Sequence, residues 1–329
     1  MSSACDTTVA KNCILVGDIG GTHARFAIAE GGGSAPRLRD WLDVPDDLGS
    51  FAQVLRHYLD AFGRHRVPEV IVLAVAGPVA DGKVSLTNRN WQLSEDGLRS
   101  FGFEAAHLVN DFAALACAAD LLGPADLRCI GPDIPAIPGA PITILGAGTG
   151  LGVSCLAHFR GHAVPLATEG GHIGFAPQGA EEIAILEALA RRFGRVSVER
   201  ILSGPGLESL SLAQDEIAGR AARPLSAAAI VDHASQGDVH CRATLSRFCS
   251  IFGAVAGDIA LSHGARGGVL IAGGIAGKIE AYLRQGAFRE RFEAKGRLSS
   301  FVKSIPTRLI VNSNAALLGA ARAAEFHLD

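Results

Sequence analysis

Apolar positions along this chain alternate between two spacings. Short solid runs at Cys13–Val16, Val70–Ala76, Ile142–Leu145 and Val269–Ala272 have the length of strands. Each stops at a glycine: Gly17-Asp18, Gly77-Pro78, Gly146 and Gly273-Gly274. His107–Val109 and Leu309–Val311 read as shorter strands, and Lys83–Leu86 as a short return strand. Between these runs the apolar residues recur at helical spacing. Asp47–Phe62 carries Leu48, Phe51, Val54, Leu55, Tyr58 and Leu59 on one face, and Phe112–Leu122, Ala180–Phe193, Leu245–Ser262, Ala276–Arg284 and Ala315–Glu325 also read as helices. Strands alternating with helices define an α/β class.

Two segments share one grammar: an apolar run, a glycine-rich turn, then a second apolar run. In the first, Gly17-Asp18-Ile19-Gly20-Gly21-Thr22 separates Cys13–Val16 from Arg25–Glu30. In the second, Gly146-Ala147-Gly148-Thr149-Gly150 separates Ile142–Leu145 from Leu151–His158. Both read as β-hairpins with glycine-rich tips. Their local identity is low when Asp18 is set against Gly146, so the repeat is one of architecture. Gly131–Pro141 holds Pro132, Pro135, Pro138 and Pro141, which no helix or central strand can run through. The inter-lobe connection is placed near it. Leu245–Ser262 is rich in small residues (Gly253, Ala254, Ala256, Gly257, Ala260), which suits close helix packing in a core or at a subunit interface.

At 329 residues, 48% hydrophobic and 19% charged, the chain is long enough for two ordinary cores. The net charge of −3 and the absence of a long basic run argue against a nucleic-acid partner. The polar Met1–Asn12 stretch lacks the form of a signal peptide, and Val70–Ala76 is too short to span a bilayer. Seven cysteines, none at C-x-C or C-x-x-C spacing, read as reduced thiols. The expectation is a soluble cytoplasmic protein with no membrane partner.

The glycine turns carry the candidate chemistry. Glycine adopts positive φ and lets a ligand approach the backbone, and successive N–H groups at such a turn form an anion nest. Thr22 adds a hydroxyl, and Asp18 suits such a site if it holds Mg²⁺ through water beside a polyphosphate. A plain hairpin with Asp18 as turn former would use the same residues. At the second turn, Leu151 follows Gly150 where a Walker loop needs lysine, and a strand-like segment follows where a dinucleotide fingerprint needs a helix. Val269–Ala272 ending at Gly273-Gly274 leaves an open backbone on which a base or ribose could lie. Asn110-Asp111 ends an apolar run and opens a helix, a pattern that capping alone explains.

Taken in order, Val16–Arg25 (VGDIGGTHAR), Val109–Phe112 (VNDF), Gly146–Val153 (GAGTGLGV), Glu169–His172 (EGGH), Val196–Leu207 (VSVERILSGPGL) and Gly267–Ile275 (GGVLIAGGI) resemble one family across nearly the whole chain. The chain is similar to bacterial ATP-dependent glucokinases, hexokinase-like members of the sugar kinase, heat-shock protein 70 and actin superfamily that lack a zinc site. The resemblance implies a two-lobed actin-like ATPase (ribonuclease H-like) fold with a nucleotide and sugar cleft between the lobes. The small lobe would hold residues 1–121 and 313–329, and the large lobe residues 122–312.

The resemblance also implies the chemistry. ATP would lie on Gly17, Asp18, Ile19, Gly20, Gly21 and Thr22, on Gly148 and Thr149, and on Gly273 and Gly274. Mg²⁺ would be held by Asp18 through water. Asp111 would accept the proton of the sugar 6-hydroxyl as it attacks the γ-phosphate, and the lobes would close to exclude water. Asn110, Asp111, Gly150, Glu169, His172 and Glu199 would contact the sugar. The expected reaction is transfer from ATP to O6 of D-glucose in glycolysis, by a homodimer with no structural metal. Two positions depart from the family pattern: His23 stands where Asn is usual, and Gly174 where Asp is expected. The rival readings are a kinase for mannose, fructose or glucosamine, a non-catalytic sugar sensor on the same fold, and an ATPase of the chaperone or actin type. The sensor reading is disfavoured by Asp111 and by the short stretch before the first strand, the ATPase reading by the limited chain length.

Overall fold

Buried strands of one sheet organise each half of the chain in the computed structural model, which describes residues 13–20, 24–31, 35–44, 49–62, 68–86 and 89–327. By internal contacts the chain divides into a first unit, Met1–Gly123 with Asn312–Asp329, and a second unit, Pro124–Val311. The division falls upstream of the proline-rich stretch, which belongs wholly to the second unit.

In the first unit β1 (Cys13–Ile19), β2 (Ala24–Glu30) and β3 (Arg37–Val44) form an antiparallel meander. β4 (Val70–Val75) and β7 (Ala105–Asn110) continue it in parallel, giving the order β3-β2-β1-β4-β7. β5 (Lys83–Leu86) pairs with β6 (Trp91–Ser94) in a separate two-stranded ribbon. β1 and β4 are apolar on both faces because both faces are covered. Leu15, Ile19, Leu73 and Val75 pack with the Phe51–Phe62 helix on one side. Val16, Val72 and Ala74 pack on the other with the Asp111–Ala118 and Ala315–His327 helices.

The second unit repeats this plan. β9 (Ile142–Ala147), β10 (Leu151–Phe159) and β11 (His162–Thr168) are antiparallel, and β12 (Gly268–Ala272) and β13 (Thr307–Ile310) extend β9 in parallel. β8 (Leu127–Cys129) adds an outer strand, so the order is β11-β10-β9-β12-β13-β8. Both sheets are therefore ribonuclease H-like, and the fold is the two-lobed actin-like ATPase fold.

Several expectations change. β1 runs through Gly17 and Asp18 to Ile19, so Gly17 is a strand residue. The expected helix over Ala276–Arg284 is two short helices, Gly274–Lys278 and Glu280–Leu283, broken at Ile279. Leu245–Ser262 lies inside a longer helix, Val239–His263. Length and composition alone would let that helix cross a membrane, yet most of it is buried in the second core. Among the described residues no cysteine is in a disulfide, and Cys5 lies outside them.

The Ala315–His327 helix crosses the Asp111–Ala118 helix at Gly319, where an added Cβ would stand 1.8 Å from the Ala114 carbonyl oxygen. Gly319→Ala is therefore expected to destabilise the first unit by about 1–3 kcal/mol through overpacking. Urea unfolding followed by fluorescence of the first-unit residues Trp41 and Trp91 measures this, and an unchanged midpoint would contradict it.

Candidate active site

In the first unit, the register aligns Ile19 with Val75 and Val75 with Asn110, so β1, β4 and β7 end at one edge. Ligand sites in such sheets gather at the carboxyl ends of the strands. Asp18 on β1 and Asp111 just after β7 are thus brought to the same edge, two strand spacings or about 10 Å apart in the sheet direction. Asn110 caps the Asp111–Ala118 helix: its Oδ1 accepts from the Phe112 N–H at 3.0 Å and the Ala113 N–H at 3.1 Å. Its Nδ2 donates to the Gly77 carbonyl at 3.2 Å. Capping and chemistry are divided here, because Asn110 caps and leaves the neighbouring carboxylate in the first helical turn.

The Asp111 carboxyl is pushed up to about 7, first by burial and then by the negative charge of Asp18. Hydrogen bonds from backbone N–H groups and from Asn110 oppose the rise without cancelling it. A carboxylate near neutrality suits proton transfer at working pH. Asp18 is held differently. Its Oδ2 accepts from Arg25 Nη2 at 2.6 Å across the hairpin, where Asp18 and Arg25 face each other in register.

In the second unit, β9 and β12 approach so closely that glycine is required. An added Cβ on Gly146 would lie 2.3 Å from the Ala272 carbonyl oxygen. Gly273 has φ +92°, and its Cβ would lie 2.4 Å from the Ala147 carbonyl oxygen. The second glycine turn and Gly273-Gly274 therefore share one sheet edge. Gly148 is open, and Thr149 is exposed at the tip. The tip is tied to the segment that follows Glu199: the Gly204 N–H donates to the Gly148 carbonyl at 2.8 Å.

Three more side chains converge on that hairpin. Glu199 Oε2 accepts from the Leu151 N–H at 2.9 Å and would lie 2.4 Å from a Cβ on Gly150. The turn Gly170–His172 packs on β10, with a Gly171 Cβ only 2.0 Å from the Leu151 carbonyl oxygen. This sets Glu169 and His172 near the hairpin, both exposed, with Nε2 of His172 3.8 Å from Oε2 of Glu169. The Val198 N–H donates to the Ile173 carbonyl at 2.9 Å, joining this turn to the one bearing Glu199. Two carboxylates and an imidazole suit a polyhydroxylated ligand.

Within each unit the expected residues thus gather: Asp18, Asn110 and Asp111 in the first, and Gly148, Thr149, Gly150, Glu169, His172, Glu199, Gly273 and Gly274 in the second. Gly17 stands apart from these. It is buried in β1 without positive φ, and its Cβ would stand 2.6 Å from Leu73, so packing explains this glycine. The Ile19 side chain is fully buried, which leaves only backbone to offer a phosphate. Gly20 directly follows β1, while Gly21, Thr22 and His23 lie outside the described residues. Gly174 is exposed and bridges to Ser197, with open space where a side chain would be.

Two arginines were missed. Arg25 holds Asp18, and Arg195 donates to the His172 carbonyl at 2.7 Å. Hairpin register would have found Arg25; no local pattern marks Arg195. The Asp18 carboxylate is a hard oxygen donor, 18% exposed at a sheet edge, and fits Mg²⁺. Among the described residues, His233, Asp238 and Cys241 also stand close enough to hold an ion. There the Arg223 guanidinium already lies 2.5 Å from Asp238 and 2.8 Å from His233 Nδ1.

Two ribonuclease H-like sheets that each open with a hairpin, with an acidic residue at a helix start, fit the sugar kinases of the actin-like superfamily. The family model described as Glucokinase matches residues 15–327. The glucokinase of Caulobacter sp. (strain K31) is 50% identical over 309 residues, 93% of each chain. A solved glucokinase from an Antarctic psychrotroph superposes with a TM-score of 0.86 at 36% identity, covering 96% of this chain and 99% of that one. A ROK family glucokinase from Streptomyces griseus, solved with glucose and AMPPNP, shares the fold with a TM-score of 0.62 at 18% identity, covering 95% of this chain and 99% of that one. The chain belongs to the glucokinase family, and it is a sugar kinase, a phosphotransferase.

Two outcomes follow from this geometry. The sign at Asp111 is that of a carboxyl raised above its unfolded value. Its ionisation therefore costs folding stability as pH climbs from about 4 to 7. Asp111→Asn should melt a few degrees higher than wild type at about pH 8, an advantage that shrinks towards pH 4, as scanning calorimetry across pH would record. Gly150→Ala should displace Glu199 from the Leu151 N–H and lower Tm by a few degrees, the loss of a hydrogen bond to a charged group, as scanning calorimetry would record.

Proposed function

We propose that this chain transfers the γ-phosphoryl group of ATP to O6 of D-glucose, giving glucose 6-phosphate and ADP. The observation that carries the reading is Asp111: a carboxylate at a helix start, near neutral pKa, at the sheet edge that also bears Asp18. Asp111 accepts the O6 proton as that oxygen attacks phosphorus. Its burial keeps it basic enough to do so near neutral pH, and Asn110 fixes the helix turn from which it projects. Glu169, His172, Glu199 and Asn110 read the ring hydroxyls, with the Gly150 backbone beside them. Thr149 offers a hydroxyl to phosphate oxygens, and Gly148, whose N–H donates to the Gly150 carbonyl at 2.8 Å, has no side chain to block their approach; the family resemblance gives Gly20, Gly21 and Thr22 the same task. Gly273 and Gly274 leave a flat backbone for the adenosine.

Asp18 would hold magnesium through water, and the ion, when bound, supplies neutralisation of phosphate charge. Catalysis is otherwise positioning, with the acid–base step on one residue. The AMPPNP and glucose named for the Streptomyces griseus protein support ATP and glucose as the pair. A homodimer in a cytoplasmic setting completes the reading, and static light scattering measures the oligomeric state.

ADP release across a panel of hexoses is the test. Wild type should release ADP with glucose and far less with mannose, fructose or glucosamine. Asp111→Ala should lower kcat by about 10²–10⁴-fold, the usual contribution of a general base. The kcat/KM of wild type should fall about tenfold per pH unit below about 7. No sugar-dependent ADP release would sink the kinase reading, and faster turnover of another hexose would reassign the substrate.

A further inference from the structure

The two hairpins occupy equivalent places in equivalent sheets, yet their second-last cross-strand pairs differ. In the second hairpin that pair is Gly146 opposite Gly152. In the first it is Asp18 opposite Arg25. Both central strands then align with an alanine on the parallel neighbour, Ala74 for Asp18 and Ala272 for Gly146. The architecture therefore forms this hairpin without an ion pair. The Asp–Arg pair is an addition whose reason lies elsewhere.

Arg25 is unusually well tethered for a strand residue at a sheet edge. Nη2 donates to Asp18 Oδ2 at 2.6 Å, and Nη1 donates to the Ser313 carbonyl at 2.7 Å. Nε stands 3.8 Å from Asp43 on β3. Its side chain is 25% exposed. One planar guanidinium thus joins β1, β3 and the segment that leads into the Ala315–His327 helix. A guanidinium fixed by a backbone carbonyl orients its remaining donors, so the carboxylate it meets is held in one direction.

We propose that Arg25 is a positioning residue for phosphoryl transfer: anchored on the Ser313 carbonyl, it holds the Asp18 carboxylate in the orientation that receives the divalent cation of the nucleotide. The inference rests on the sugar-kinase reading. Arg25 itself touches neither substrate, and it acts only through Asp18. Lysine would keep the charge but lose the fork that reaches both Asp18 and Ser313. Glutamine would lose the charge as well.

The experiment is a double-mutant cycle with Arg25→Gln, Arg25→Lys, Asp18→Asn and the Arg25→Gln/Asp18→Asn double variant. Sugar-dependent ADP release gives kcat and KM, and calorimetry gives ADP affinity with and without Mg²⁺. Arg25→Gln is expected to lower kcat by about tenfold to a hundredfold, the penalty of a misplaced catalytic group, with glucose KM within about twofold of wild type. The double variant should be no slower than Asp18→Asn alone, because the two residues act as a unit. The gain in ADP affinity on adding Mg²⁺ should shrink in Arg25→Gln and recover in part in Arg25→Lys. Unchanged kcat in Arg25→Gln, independent multiplication of the two losses, full activity in Asp18→Asn, or an unaltered Mg²⁺-dependent gain would each overturn the proposal. Should Arg25→Gln fail to fold, Arg25→Lys carries the same cycle. An inactive wild type would instead overturn the kinase reading itself.

Discussion

Two carboxylates at one edge of one sheet repel each other, and much of the first unit answers that fact. Asp18 and Asp111 are delivered there by the parallel register of β1, β4 and β7. The unit treats them oppositely. Asp18 is given a guanidinium partner across its hairpin. Asp111 is given burial and the field of Asp18, which disfavour its charge. Two like groups at one edge are thus distinguished by their neighbours, one tied to a cation and the other raised by burial.

The second unit solves a different problem, that of bringing backbone near a ligand. Gly146 against Ala272, Gly273 against Ala147 and Gly171 against Leu151 are contacts in which a methyl group has no room. They draw the hairpin tip, the end of β12 and the turn bearing Glu169 and His172 together around β9 and β10. Glu199 then closes on the vacancy at Gly150. The side chains suited to a sugar are held by backbone close-packing, so their placement is as rigid as the sheet beneath them.

Much of this was legible in the residues. Solid apolar runs ending in glycine located both hairpins and the parallel strands, because strands buried on both faces must be apolar throughout. Edge strands escaped that logic. β3 carries Arg37, Arg39, Asp40 and Asp43 with Trp41 exposed, and β11 contains Pro165, so neither has a clean period. The helix Gly204–Ile217 begins Gly-Pro-Gly and resembles a loop until its Ser203 cap is seen. Gly17 belongs to a glycine-rich run in sequence, and only the Leu73 and Phe26 side chains over it reveal a packing role. Asn110 and Asp111 were found as a pair, but that Asn110 accepts from two backbone N–H groups while Asp111 accepts from the Phe112 N–H at 2.9 Å depends on which oxygen faces which N–H. Glu199 gained its meaning from Leu151 and Gly150, which are remote in sequence.

The Ala315–His327 helix has a consequence for biosynthesis. It completes the first unit, covering β1 and β4 and lying against the helix that begins at Asp111. Yet the ribosome makes it only after the entire second unit. Folding in order of synthesis would leave the Asp111–Ala118 helix without its neighbour, and the small apolar faces of Val16, Val72 and Ala74 open to water. The second unit can fold on the nascent chain while the first waits. A chain made only through Val311 would therefore hold the hairpin of β9 and β10 before the helix that begins at Asp111 had its neighbour, which ties completion of the first unit to synthesis of the segment beyond the second.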